Sequence, residues 1–279
     1  GVASDVMAIS PHKREPRNLR LRLTSALLLA PPVFFAVFFG DPWFKAIVVA
    51  AALAMSWEWS RICCGAKFDI CGWVLTLAIV GALSAMVLGM PGLAVFFMAF
   101  GAISLFVVSR GKGRQISINM LLGMGLIAGF ALTSLWVRDY PEWGRGLMIW
   151  LLFLVWLTDI GGYFFGRAIG GRKLAPKISP NKTWSGFFGG LFLASCWSGY
   201  WLTSSINLSL VLALIAGVGI SALAQLGDLS VSAVKRRYGV KDASGLIPGH
   251  GGMLDRLDGM LLTAPTLAVV LFVVDRGWI

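Results

Sequence analysis

The chain has 279 residues; 57% are hydrophobic, 13% are charged, and the mean hydropathy is +0.79. Soluble domains carry about 25% charged residues, so this composition excludes a water-facing globule and points to an all-α, polytopic helical membrane protein. The net charge of +11 would suggest nucleic acid in a soluble protein, but here basic loops held on one side of a membrane and attraction to anionic lipid account for it, and no nucleic-acid partner is expected.

Residues 1–22 are polar and end in a basic run, Lys13, Arg14, Arg17, Arg20 and Arg22. They read as a cytoplasmic tail and not as a cleavable signal peptide. Nine apolar stretches follow, near 23–40, 44–59, 71–89, 92–108, 117–137, 146–166, 184–203, 208–227 and 259–274. Each is a candidate span, since a hydrocarbon core needs about 20 residues of helix. The second has Glu58 near its end and is the weakest of the nine. The breaks GDPW, MPG and YPEWG have turn chemistry. The cysteines Cys63, Cys64, Cys71 and Cys196 form no Cys-x-x-Cys pair and read as small apolar filler. The predicted organisation is the tail (1–22), an N-terminal group of helices (23–145) and a C-terminal group (146–279) with two long charged connections.

Asp159 falls well inside the sixth span, in TDIGGYFFGR. An ionisable group at that depth marks a functional site or pairs with a neighbouring helix. The glycines beyond it serve either close helix packing or the site itself. The connection 167–183 then brings a basic run, Arg172, Lys173, Lys177 and Lys182, with Ser179, Asn181 and Thr183 as hydroxyl and amide groups among it. Alone, such a run binds acidic headgroups. RAIGGRK fits neither the Walker A nor the dinucleotide glycine pattern.

The second long connection, 228–258, reads DLSVSAVKRRYGVKDASGLIPGHGGMLDRLD. Its first part is predicted to extend the eighth helix, because Asp228, Ser232 and Lys235 are spaced i, i+4, i+7 and share one face, with Arg236 beside them. Asp255 and Asp258 lie one turn apart at the entry to the ninth span. Between them and that face sits PGHGG, where Pro and Gly permit a tight fold. His250 in that turn is a candidate base, metal ligand, phosphate donor or structural hydrogen-bonding group. Carboxylates beside a bilayer need partners. Two readings are open: ion pairs with Arg236, Lys241 and Arg256, or convergence of both ends of the loop on a hard divalent cation such as Mg²⁺, with Lys and Arg on phosphate oxygens.

With the tail placed inside, nine spans put 20 of the 24 Lys and Arg on one side and four, Lys45, Arg138, Arg145 and Arg276, on the other. That bias predicts a cytoplasmic N-terminus and places both charged connections on the cytoplasmic face.

From Ser232 the stretch SAVKRRYGVKDASGLIPGHGGMLDRLD resembles the signature of the phosphatidate cytidylyltransferases, also called CDP-diacylglycerol synthases. The likeness runs through Lys235-Arg236, Lys241-Asp242, His250-Gly251-Gly252 and Asp255-Arg256-x-Asp258. TDIGGYFFGR and SPNKTWSG also resemble family segments, so roughly residues 150–260 bear the likeness. It implies transfer of a cytidylyl group from CTP to phosphatidic acid, giving CDP-diacylglycerol and pyrophosphate with Mg²⁺, and a monovalent cation such as K⁺ beside it. It implies metal ligands at Asp228, Asp255 and Asp258, and a catalytic set of Asp228, Asp255, Lys235, Arg236 and Lys182. Substrate phosphates are expected at Arg172, Lys173, Lys177, Ser179, Lys241, His250 and Arg256. The expected setting is a bacterial inner membrane with the site facing the cytoplasm, among membrane lipids; a homodimer is allowed but not required. The N-terminal half resembles the family only in being hydrophobic, and no role is assigned to its residues.

Two other functions fit parts of the sequence. A CTP-dependent lipid kinase would transfer the terminal phosphate and release CDP. A transporter would use Asp159 or Glu58 as a coupling group, but no inverted repeat is visible and the charge clusters lie in loops on one side.

Overall fold

The computed structural model describes residues 30–65, 68–247 and 251–276. The predicted tail 1–22, the start of the first span and His250 lie outside the described residues. The helices are α1 (Ala30–Phe39), α2 (Trp43–Cys64), α3 (Ile70–Val87), α4 (Pro91–Arg110), α5 (Arg114–Arg138) and α6 (Gly144–Ala168). A short antiparallel hairpin, β1 (Lys173–Ala175) and β2 (Ser179–Thr183), precedes α7 (Trp184–Ile206), α8 (Leu210–Arg237), the one-turn α9 (Leu254–Leu257) and α10 (Met260–Asp275).

A helix stands at each of the nine expected spans. Six of them, α2 to α6 and α8, are long and apolar enough to cross a membrane. The α1 and α10 helices are apolar but shorter. The doubtful second span is a full helix of 22 residues despite Glu58. Large apolar side chains point outward along whole faces: on α4, Val95, Ile103 and Val107 are each more than 60% exposed. Soluble monomers do not present apolar bands of that extent, and lipid is the solvent that suits them. Trp59, Trp150, Met55 and Leu154, by contrast, are fully buried between helices.

Without a hydrophobic drive between helices in lipid, small residues and interhelical hydrogen bonds set the packing. The ambiguous glycines of α6 are packing glycines. A Cβ at Gly161 would lie 2.6 Å from the Gly189 carbonyl of α7, and one at Gly186 would lie 2.5 Å from the Gly162 carbonyl. Thr158 Oγ1 on α6 and Ser221 Oγ on α8 are 2.9 Å apart. Gln225 Nε2 on α8 donates to the Phe187 carbonyl of α7 at 3.2 Å. These contacts fix α6, α7 and α8 as one unit.

The connection 167–183 contains the hairpin that an all-helix reading does not anticipate. Its second strand runs directly into α7, and Thr183 caps that helix by accepting from Gly186 N–H at 3.1 Å. The helical extension predicted after the eighth span is present: α8 continues to Arg237.

Candidate active site

Backbone packing gathers the acidic residues. A Cβ at Gly227 on α8 would lie 2.5 Å from the carbonyl oxygen of Asp258, so only glycine lets the α9–α10 junction approach so closely. On the next residue, a Cβ at Gly259 would lie 3.0 Å from Val155 of α6 and 3.6 Å from Ala224 of α8. Asp159 and Asp228 follow Val155 and Ala224 by four residues, about one turn. Carboxylates from α6, α8 and the junction therefore arrive at one height. Burial, then the negative charges of Asp228 and Asp159, push the Asp258 carboxyl well above the usual carboxylate range, with Lys235 opposing them. Gly227→Ala is expected to force the junction away from α8. The measurements are activity, which should fall at least tenfold by the cost of misplaced groups, and melting in detergent, which should report about 1–3 kcal/mol of overpacking.

Two ion pairs organise the cations. Lys182, from β2, pairs with Asp228, whose other oxygen accepts from Ser232 at 3.1 Å, the i, i+4 contact that the spacing predicts. Lys235 pairs with Asp255, and both side chains are 8% exposed. The other Asp255 oxygen accepts from the backbone N–H of Ala243 and of Gly252, each at 2.9 Å. Among the described residues, the ion pairs of Asp228 and Asp255 thus use Lys182 and Lys235, not Arg236, Lys241 or Arg256. The Arg236 guanidinium donates to the Ile178 and Val240 carbonyls, both at 3.2 Å, and so ties the hairpin to the end of α8. Arg172, Lys173, Lys177, Lys241 and Arg256 are exposed, and Ser179 is half-buried in β2. Of the expected set, Lys182, Lys235, Asp228, Asp255 and Asp258 come together around the α8 face; Arg172, Lys173, Lys177, Lys241 and Arg256 have no ion pair among the described residues.

The described residues on either side of 248–250 are joined to each other. Ile247 and Gly251 exchange backbone hydrogen bonds of 2.9 and 3.1 Å, and Gly251 has φ of +85°. Only glycine adopts that conformation freely.

Sequence reasoning offered Glu58 only as a coupling group for transport and missed its partners. It is fully buried, and its carboxylate accepts from Ser244 Oγ, from Met253 N–H at 2.9 Å and from Leu254 N–H at 2.7 Å. The available signal was a lone acidic residue in an apolar helix, but its partners are backbone groups that no spacing reveals. Nearby, Tyr238 at the end of α8 accepts from Asn119 Nδ2 of α5 at 2.8 Å.

The cysteine reading needs one addition. The ligand atoms of Cys64, Asp69 and Cys71 lie within 4.8 Å of one another. Asp69 Oδ1 caps α3 through the N–H groups of Cys71 and Gly72, and Asp69 Oδ2 pairs with Lys112. The acidic member already has its donors, and Asp69 works as a helix cap.

The profile of the cytidylyltransferase family matches residues 20–274 of this chain. A phosphatidate cytidylyltransferase of Brucella melitensis is 36% identical over 261 residues, covering 90% of this chain and 92% of that one. Those of Pseudomonas aeruginosa and Haemophilus influenzae are each 32% identical, over 276 and 288 residues, covering 93% and 92% of this chain and 98% and 99% of theirs.

Proposed function

The chain belongs to the cytidylyltransferase family of enzymes, and we propose that it transfers the cytidylyl group of CTP to phosphatidic acid, giving CDP-diacylglycerol and pyrophosphate. A phosphate oxygen of the lipid attacks the α-phosphorus of CTP; a bond from that phosphorus to the bridging oxygen breaks, and pyrophosphate leaves with the electron pair. The attacking oxygen is already anionic at neutral pH, so no strong general base is required. The difficulty is repulsion: a phosphomonoester must meet a triphosphate at about 3 Å, and catalysis rests on positioning and charge neutralisation.

The observation that carries this reading is the convergence of Asp159, Asp228 and the α9–α10 junction beside Lys182. Carboxylates so placed repel one another, and their donors are all hard oxygens. That donor set fits Mg²⁺. Asp228 and Asp258 would hold it, with Asp159 beside them; Asp255 would join only by releasing one of its present donors. When bound, the ion neutralises charge on nucleotide phosphates. The reading retains a monovalent cation such as K⁺ from the resemblance alone.

The protein's own groups do the rest. Lys182 sits where a phosphate oxygen could replace its carboxylate partner, and the exposed Arg172, Lys173, Lys177, Lys241 and Arg256 can guide an anionic nucleotide toward it. The hairpin, held by Arg236, keeps Lys182 against α8. We place the N-terminus and this site on the cytoplasmic side of a bacterial inner membrane, where CTP arrives from water and phosphatidate from the bilayer; the 20-to-4 distribution of Lys and Arg supports that orientation.

The test is product analysis in detergent with CTP and phosphatidate, with and without Mg²⁺. The expected result is pyrophosphate and CDP-diacylglycerol in the presence of Mg²⁺ only. Release of CDP instead would identify a lipid kinase, and the absence of product would overturn the proposed reaction.

A further inference from the structure

Glu58 stands in α2 between Trp57 and Trp59, on a helix that sequence reasoning left without a role. An ionised carboxylate removed from water costs several kcal/mol unless donors replace the lost hydration. Its donors here come almost wholly from one segment. Ser244 approaches from one side of the PGHGG turn, and Met253 and Leu254 approach from the other. A Cβ on Gly252 would lie 2.5 Å from Glu58 Oε1 and 2.8 Å from Ala243 Cβ, so the segment is pressed onto this carboxylate.

The helix beneath Glu58 is itself anchored. Trp59 Nε1 donates to the Asn119 carbonyl of α5 at 2.8 Å, and Gly123 leaves the space that the indole fills. The same Asn119 donates through its amide to Tyr238, where α8 ends. The segment is thus held twice from the N-terminal half: at Tyr238 by Asn119, and at Ser244, Met253 and Leu254 by Glu58. From within, Asp255 gathers the adjoining Ala243 and Gly252. Leu254 and Asp255 are neighbours, so the grip of α2 on the first fixes the position of the second and, one turn on, of Asp258.

We propose that Glu58 is a positioning residue of the active site: through the N–H groups of Met253 and Leu254 and the hydroxyl of Ser244, it sets Asp255 and Asp258 against the Asp228 face of α8. This rests on the function proposed above. Glu58 touches no substrate. It acts through the segment it holds, as a carboxylate behind a ligand-bearing element does at metal sites.

The experiment uses the full-length protein in detergent. Glu58→Gln keeps the shape but turns one acceptor atom into a donor facing donors. The first readout needs no activity: trypsin cleavage after the exposed Lys241, in the absence of substrates, should quicken at least tenfold. The second is kinetic: kcat should fall about 10- to 100-fold and the half-saturating Mg²⁺ concentration should rise by about the same factor, assayed well below the melting temperature. Unchanged cleavage overturns the proposal. Faster cleavage with kcat and Mg²⁺ dependence within twofold of the wild type overturns it too, because the clasp would then position nothing. If Glu58→Gln does not fold, Ser244→Ala decides. It removes one donor and leaves the two backbone ones, and about a tenfold rise in half-saturating Mg²⁺ is expected; an unchanged value overturns the proposal. Failure of the wild type to release pyrophosphate would instead sink the proposed function, leaving the cleavage result to stand on its own.

Discussion

Asp228→Asn leaves a folded, membrane-inserted protein that releases pyrophosphate at least about 10³-fold more slowly. Asparagine matches the shape of aspartate and can still accept from Ser232, so packing around α8 survives. Its Lys182 partner is 28% exposed and Asp228 itself 27%, so water can solvate the lysine that loses its pair. Little stability depends on an ion pair with that much access. The loss falls on chemistry, where a bound divalent ion supplies several kcal/mol of charge stabilisation. Rates at saturating Mg²⁺, together with melting in detergent, check this. Turnover near wild type would remove Asp228 from the site.

Asp255→Asn is expected to damage both fold and activity. Lys235 and Asp255 are both 8% exposed, and the second carboxylate oxygen takes two backbone N–H groups. Removing one charge strands a buried ammonium, at about 3–5 kcal/mol. The new amide cannot satisfy the lysine and both backbone donors together, which adds the cost of an unmet buried donor. Melting should therefore drop by several degrees, and activity should be lost with it. The contrast with Asp228→Asn separates a carboxylate proposed to hold the ion from one that closes a loop. An Asp255→Asn variant that melts like wild type, and loses only its response to Mg²⁺, would make Asp255 a ligand first.

The spans were legible because each is a long apolar run, and the extension of α8 was legible because Asp228, Ser232 and Lys235 recur at helical spacing. The pairings were not. The cations expected to pair, Arg236, Lys241 and Arg256, are exposed, and the carboxylates of Asp228 and Asp255 chose Lys182 from β2 and Lys235 from α8. Choice of partner depends on how helices cross, and that is decided by features such as Gly227 against the Asp258 carbonyl, which a sequence presents only as one glycine among 34. The hairpin escaped notice because its strands are three and five residues long and hold Pro180 and five polar residues. Glu58 was visible as an anomaly, but its meaning lies in main-chain groups almost 200 positions away.

That separation has a consequence for biogenesis. Glu58 leaves the ribosome 195 residues ahead of Met253, which at ordinary synthesis rates is a delay of about ten to forty seconds. For most of that interval a carboxylate destined for a dry crevice has none of its eventual donors; Ser244, the first of them, follows 186 residues behind. The nascent α2 must keep it hydrated, and can seat fully only after residues 244–254 are made. Closure of the 244–254 segment over α2 and final insertion depth of the second helix are then a single late event in assembly.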